Sequence, residues 1–149
     1  MKEIKVAENK TLKLTNVLSR EIHPEEMASL PAVLTQMHNF IKSNNAQPIG
    51  PIVQAMVVGE DRQMHLYMMQ QATQMITQME PGYHMDAVLR VKNCLYAHYT
   101  GPMSHNQLAT AKLQIMAFEN DIKLTGDNYT IYVNQDDDDA VIDVFMETK

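Results

Sequence analysis

Hydrophobic and polar positions along the first half of the chain follow two different periods. Thr11–Glu21 alternates in the manner of a β-strand, and Pro31–Asn44 places apolar residues at the three- and four-residue spacing of an amphipathic helix. Two further strands are predicted at Ile52–Val58 and Met64–Gln71, separated by turn residues. The first half is therefore predicted to fold as strand, helix, strand, strand.

The second half repeats this order of elements. Met85–Thr100 is predicted as a long strand that breaks at Gly101-Pro102, and His105–Asn120 as a helix. Asn128–Asn134 and Ala140–Glu147 are then predicted as strands around an acidic loop. The segment between the halves, residues 75–82, shows no clear period.

This order predicts an α+β protein made of two βαββ repeats, one at about residues 10–72 and the other at about residues 83–149. A single βαββ unit leaves part of its sheet uncovered, so we expect the copies to form one domain over residues 1–149, with an antiparallel sheet and two helices around a central ligand groove. The segments IGPIVQAMVV and LTGDNYTIYV occupy the same slot after each helix. Gln54 then corresponds to Thr130, and Met56 to Tyr132.

Each predicted helix has apolar positions that we expect to face a sheet. In the first helix these positions are Val33, Leu34, Met37, Phe40 and Ile41. In the second helix they are Leu108, Ala111, Leu113, Ile115, Met116 and Phe118.

The joint between strand and helix in the second half carries a family resemblance. Tyr99-Thr100-Gly101-Pro102-Met103, followed at the expected distance by a helix and the strand GDNYTIY, resembles the GyrI-like small-molecule-binding domain, from about Lys10 to the C-terminus. That family includes effector-binding domains of multidrug-sensing bacterial transcription regulators and a stand-alone gyrase-inhibitory protein. The resemblance implies binding of a small aromatic or lipophilic effector, with cationic molecules among the candidates. Thr130 stands where many relatives have an acidic residue, and Met103 where they have an aromatic one.

Alternation along the strands predicts which side chains face the groove. In the strand that follows each helix, one set of alternate side chains is the more apolar and is expected to cover the helix, namely Val53, Ala55, Val57, Tyr129, Ile131 and Val133. The side chains between them then face the ligand. The predicted ligand-binding residues are Gln54, Met56, His65, Tyr67, Met69, Tyr96, His98, Thr130, Tyr132, Asp143 and Phe145. This set is rich in aromatic residues and methionine and contains one carboxylate, as expected of a site for a flat, largely apolar molecule. Asp143 is the candidate to hold a cationic centre, with tyrosine rings around it.

Composition and charge exclude several other functions. The net charge of −6, with scattered lysines and arginines, argues against direct nucleic-acid binding. The apolar runs are too short to span a membrane, no signal segment precedes the first strand, and the single cysteine, Cys94, agrees with a reducing compartment, so we expect a cytoplasmic protein. The six histidines lack the spacing of a metal site, and we expect neither metal nor cofactor.

Two other classes of function stay open at this level. Some GyrI-like proteins hydrolyse reactive small molecules, and Asp143 with Tyr96 or Tyr132 could act as general base and acid in such a reaction. A protein-interaction role, such as gyrase inhibition, would instead use the acidic surface. A protein partner or a homodimer is compatible with small-molecule binding and with hydrolysis as well.

Overall fold

The computed structural model describes residues 3–149. Within them, six strands and two α-helices follow one another, with a short 3-10 helix before each α-helix. The strands are β1 (Glu3–Ile22), β2 (Pro48–Val58), β3 (Met64–Ala72), β4 (Tyr83–Gly101), β5 (Leu124–Asn134) and β6 (Ala140–Thr148). The helices are α1 (Leu30–Ser43) and α2 (Gln107–Glu119), and the 3-10 helices are Pro24–Ser29 and Met103–His105.

The predicted α+β class and the repeated order of elements are confirmed. Strand, 3-10 helix, α-helix, strand and strand occur twice, and all of the strand pairs described below are antiparallel. The prediction was wrong about where β1 begins, because the strand starts at Glu3 rather than Thr11. Asn9 and Asn16 have φ values of +57° and +49°, so local irregularities interrupt the side-chain alternation from which the strand was predicted.

The chain divides into two compact units. The α1 unit is Lys13–Leu89, and the α2 unit combines the chain up to Leu12 with Arg90–Lys149. Each unit contains one α-helix and one hairpin of two complete strands, so each is described by itself.

In the α1 unit, β3 pairs with both β1 and β2, and α1 packs on this three-stranded sheet. The predicted helix face is confirmed, since Val33, Met37, Phe40 and Ile41 are buried and Leu34 packs against them. The ring of Phe40 stacks on Tyr83 at 4.7 Å between centroids. Residues 75–82 have no regular structure, but Ile76 and Met79 pack into this core.

In the α2 unit, β6 pairs with both β4 and β5, and α2 lies on the sheet. The predicted face of this helix was only partly right. Leu113 is buried and Met116 packs against the core, but the other buried helix residues are Ala109 and Ala117. The remaining large apolar residues of the predicted face are exposed, namely Leu108, Ile115 and Phe118. Because apolar residues occur on every side of α2, hydrophobic periodicity could not select the side that meets the sheet.

β4 ends at Gly101, where the sequence predicted a break before the helix. Gly101 has φ +147°, which a residue with a side chain rarely adopts. The Met103 N–H donates to the carbonyl of Asp137 at 2.8 Å, and the Tyr99 hydroxyl donates to the carbonyl of Pro102 at 2.5 Å. The helix therefore starts from a turn that is tied to the β5–β6 loop and to β4. Among residues 3–149, neither this helix nor any other has the length and apolarity needed to cross a bilayer.

Candidate functional site

The strand pairs of the α2 unit determine which side chains share a face. Residues directly opposite each other in an antiparallel pair project on the same side of the sheet. Leu95, Ala97 and Tyr99 on β4 pair with Met146, Val144 and Ile142 on β6, and all six belong to the core that α2 covers. The alternate residues of the two strands, which include Tyr96, His98, Asp143 and Phe145, therefore lie on the opposite face.

On that opposite face, four of the predicted site residues come together; we call them the Asp143 cluster. The Tyr96 hydroxyl donates to Oδ1 of Asp143 at 2.7 Å, and Nδ1 of His98 lies 2.6 Å from the same oxygen. The Phe145 ring lies 4.9 Å from the ring of Tyr96, centroid to centroid, and is tilted against it. The cluster combines one carboxylate, two polar partners and two aromatic rings.

The Asp143 cluster is partly shielded from water. The side chains of Asp143 and His98 are 21% and 34% exposed, so a molecule in solvent can still reach them. Burial, and then the hydrogen bond to Asp143 and its charge, raises the pKa of Tyr96. The phenol therefore remains protonated at physiological pH and stays a hydrogen-bond donor to the carboxylate.

The strand β5 places its side chains opposite to the prediction. Thr130 pairs with Val144 and Tyr132 with Ile142, so both lie on the side that α2 covers, and Tyr132 packs against that core. The face with Asp143 instead receives Tyr129 and Ile131, which pair with Phe145 and Asp143. Burial, followed by the charges of Asp127, Glu147 and Cys94, raises the pKa of Tyr129 to about 12.

The same correction applies to β2 in the α1 unit. Gln54 pairs with Met68 and Met56 with Leu66, and these two β3 residues belong to the core under α1. The other face carries His65, Tyr67 and Met69, as predicted for β3, together with Val53 and Ala55, which were expected under the helix. Val53 and Ala55 are nonetheless fully buried. Because both faces of β2 carry buried or half-buried residues, hydrophobicity alone could not decide which face meets the helix.

His65 forms a second polar cluster, which includes two acidic residues that sequence reasoning missed. Its Nδ1 lies 2.8 Å from Glu21 and its Nε2 2.9 Å from Asp61. Hydrogen bonds to Glu21 and then Asp61 raise the pKa of His65, whereas the pKa of Asp61 is lowered, first by the Gln63 N–H and then by His65. A side chain at Gly59 would bring its Cβ within 2.8 Å of the His65 ring, so the close approach of the turn to His65 depends on glycine.

The α1 unit also has two clefts near these residues. One, of about 390 Å³, is lined by Met56 and His65 among others, and the second, of about 610 Å³, by Ser19, Arg20, Tyr67 and Tyr83 among others. Within residues 3–149, the buried Ser19 hydroxyl and the Nη1 of Arg20 have no hydrogen-bond partner, although Nη2 of Arg20 bonds Glu26 at 2.6 Å. Tyr67 is the predicted ligand-binding residue that borders the larger cleft.

The histidine, acidic and cysteine side chains bear on possible metal or thiol chemistry. No group of three histidine, cysteine or acidic side chains is placed there to hold a metal ion. Cys94 is fully buried, and its burial raises the pKa of the thiol to about 11, so its reactive thiolate form is scarce at neutral pH.

Comparisons with known proteins identify the fold. No protein-family model matches the sequence, and no curated protein sequence matches it significantly. The structure is similar to the crystal structure of the EcmrR C-terminal domain, at 12% identity and a TM-score of 0.64, over 100% of this chain and 98% of that one. EcmrR in its complex with DNA gives a TM-score of 0.69, and there this chain spans 57% of the length of EcmrR.

Two other solved structures share the arrangement. SAV2435 bound to tetraphenylphosphonium matches at 12% identity and a TM-score of 0.56, over 99% of this chain and 94% of that one. A hydrolase from Listeria innocua matches at 8% identity and a TM-score of 0.58, over 99% of this chain and 92% of that one. At such low identity these likenesses establish the fold alone. The chain therefore has the GyrI-like fold that its strand-to-helix joint and repeated element order predicted.

Proposed function

We propose that this chain binds a small, aromatic or lipophilic molecule that carries a positive charge, and that the Asp143 cluster receives it. The observation that carries the proposal is a partly shielded carboxylate next to two aromatic rings. Oδ1 of Asp143 accepts from Tyr96 and lies against Nδ1 of His98, so a ligand would be received at Oδ2. Carboxylate and rings on one face form the two halves of a cation site.

The physical chemistry of the cluster favours cations over neutral molecules. A cation near the face of an aromatic ring gains about 0.5–2 kcal/mol, with the larger value when the pair is shielded from water. A charge pair with Asp143 gains more at 21% exposure than it would in bulk water, because solvent screens it less. Phe145 and Tyr96 supply the ring faces, and burial keeps Tyr96 neutral, so no second negative charge competes for the ligand.

The solved structures with this fold support the same class of ligand. Tetraphenylphosphonium, which SAV2435 binds, is a lipophilic aromatic cation. EcmrR was solved in a complex with DNA, and its C-terminal domain has the fold of this chain. By analogy, the proposed role is that of a ligand sensor related to transcription regulators.

Isothermal titration calorimetry with tetraphenylphosphonium tests the proposal. We expect saturable binding, weaker binding of the neutral analogue triphenylphosphine oxide, and a loss of affinity of about tenfold or more in Asp143→Asn, since tenfold corresponds to about 1.4 kcal/mol. Glu21→Gln is the matched control, because it removes a partly exposed carboxylate from the α1 unit. Equal affinities of wild-type protein and Asp143→Asn would contradict the assignment of the cation site.

A hydrolase is the second candidate, and the pairing of Tyr96 with Asp143 is the observation that favours it. Asp143 would take a proton from water as the water attacks an electrophilic carbon, and Tyr96 would donate its proton to the departing oxygen. The Listeria innocua protein with this fold is described as a hydrolase. Hydrolysis of ethyl acetate, whose alkoxide leaving group needs a proton, that both Asp143→Asn and Tyr96→Phe abolish would support this function. Binding without turnover would leave the first proposal.

A further inference from the structure

The outward face of α2 carries large apolar side chains with no sheet above them. Phe118 is 85% exposed and Ile115 58% exposed, although the helix buries Leu113 on its other side. A cleft of about 480 Å³ lies beside Ile115, lined by residues of α2 and by Ile4 and Val6 of β1. The outward face of α1, by contrast, carries polar residues such as Gln36 and Asn39.

The exposed residues of α2 follow the heptad spacing of a helix-pairing seam. With Leu113 at the f position, which points away from such a seam, the a and d positions are occupied by Leu108, Ala111, Ile115 and Phe118. Lys112 and Glu119 both occupy e positions, beside the seam, and both line the cleft. Lys112 is anchored there, because its Nζ donates to the carbonyl of Ile4 at 3.2 Å.

The two charges determine how a second copy of the helix would pair. In an antiparallel pairing, e positions of one helix face e positions of the other, so Lys112 would meet Glu119 of the partner subunit, and the reverse pair would form at the same time. The centre of this arrangement would lie between Ile115 and Phe118, the two most exposed apolar residues of the helix. A parallel pairing would instead place Lys112 at the same height as Lys112 of the partner subunit, and Glu119 at the same height as Glu119 of the partner subunit.

We propose that the chain forms a twofold-symmetric dimer through antiparallel pairing of α2 with α2 of a second copy. The interface is isologous, with the apolar seam at its centre and two Lys112–Glu119 pairs at its rim. The Phe118 ring of each subunit packs beside the apolar cleft of the partner subunit and is thereby removed from solvent. Because one helix face of 13 residues is a small interface, we expect a weak dimer, with a dissociation constant in the micromolar range or above.

Sedimentation velocity at low ionic strength, from about 1 µM to 1 mM protein, measures the association directly. We expect the mass to rise from 17.0 kDa towards twice that value with concentration. Phe118→Ser is expected to remain monomeric throughout this range. Val88→Ser is the control, because Val88 is also an exposed apolar residue, at 52%, but belongs to β4 in the α1 unit.

A charge exchange tests the antiparallel register independently. Lys112→Glu and Glu119→Lys are each expected to raise the dissociation constant about tenfold, because each creates like-charge contacts. The double variant Lys112→Glu/Glu119→Lys is expected to restore it. A monomer at all concentrations would overturn the dimer and would mean that this face serves another partner or none. A dimer unaffected by Phe118→Ser, or not restored by the double exchange, would overturn the interface or its register. Circular dichroism confirms that each variant is folded.

Discussion

The two units present four corresponding positions on the faces that lie away from their helices, yet they fill them differently. The pairing of β4 with β6 matches that of β1 with β3, so each position of one unit has a counterpart in the other. In the α2 unit the positions hold Tyr96, His98, Asp143 and Phe145. In the α1 unit they hold Ser19, Glu21, Tyr67 and Met69.

In the α1 unit the acidic residue of this set is Glu21, on β1, and in the α2 unit it is Asp143, on β6. Glu21 meets the His65 ring, and the raised pKa of His65 favours the protonated ring, which offsets the charge of Glu21. Asp143 instead shares one oxygen between a neutral phenol and a histidine ring, beside Phe145. Each carboxylate thus contacts a histidine, but only Asp143 also contacts a phenol and lies beside a Phe–Tyr ring pair. We propose this combination as the cation site.

The largest expected effect tests whether the two helices pack equivalently beneath these different faces. Met37 and Leu113 occupy the same place in their helices, four residues from buried neighbours on either side, and both are fully buried. We expect Met37→Ala and Leu113→Ala each to lower the free energy of unfolding by about 2–5 kcal/mol, measured by urea denaturation. Ile115→Ala, on the exposed side of α2, should change it by less than about 0.5 kcal/mol in dilute protein. A negligible effect of Leu113→Ala would show that α2 is not held as described.

A smaller effect separates the corresponding positions Ser19 and Tyr96. The Tyr96 hydroxyl bonds Asp143, whereas the buried Ser19 hydroxyl has no partner among the described residues. Tyr96→Phe should therefore lower the free energy of unfolding by about 1 kcal/mol, and Ser19→Ala should leave it unchanged or raise it by about 1 kcal/mol. Thermal denaturation of both variants in the same buffer measures the difference. Equal destabilisation by the two changes would mean that Ser19 has a bonding partner after all.

The smallest effect concerns pH and His65. Its pKa is raised in the folded protein by Glu21 and Asp61, so its contribution to stability is present below the unfolded pKa of about 6.5 and is lost as pH rises through the folded value. The gap in free energy of unfolding between wild-type protein and His65→Gln should thus be larger at pH about 5.5 than at pH about 8.5. Urea denaturation at the two pH values provides the measurement. A gap that widens at the higher pH would contradict the assigned ion pairs.

The sequence predicted the faces of β3 and β6 correctly, because a polar residue, His65 or Asp143, stands on the outward side of each strand next to apolar neighbours. Leu66 and Met68, like Ile142 and Val144, lie under the helices as predicted. The same reasoning failed on β2 and β5, where Val53 is buried on the face away from α1. On such strands hydrophobicity predicts that a residue is buried but not on which side of the sheet its side chain lies.

Other features of the candidate site depend on contacts between distant residues. Glu21 and His65 are 44 positions apart, and Asp143 is 45 positions from His98, so no local spacing indicates either pair. The face of α2 was missed for a different reason, because Ala109 and Ala117 carry less hydrophobic signal than the exposed Ile115 and Phe118. The close approach of α2 to the sheet favours small residues on the buried face, and hydrophobicity alone does not reveal that approach.

Chemical-shift mapping by NMR during titration with tetraphenylphosphonium tests the difference between the two units most directly. The cation site at Asp143 predicts saturable shifts at the backbone amides of Tyr96, His98, Asp143 and Phe145, which Asp143→Asn weakens. The corresponding amides of Ser19, Glu21, Tyr67 and Met69 should shift less. Saturable shifts confined to those α1-unit positions, or no shifts in either unit, would contradict the account.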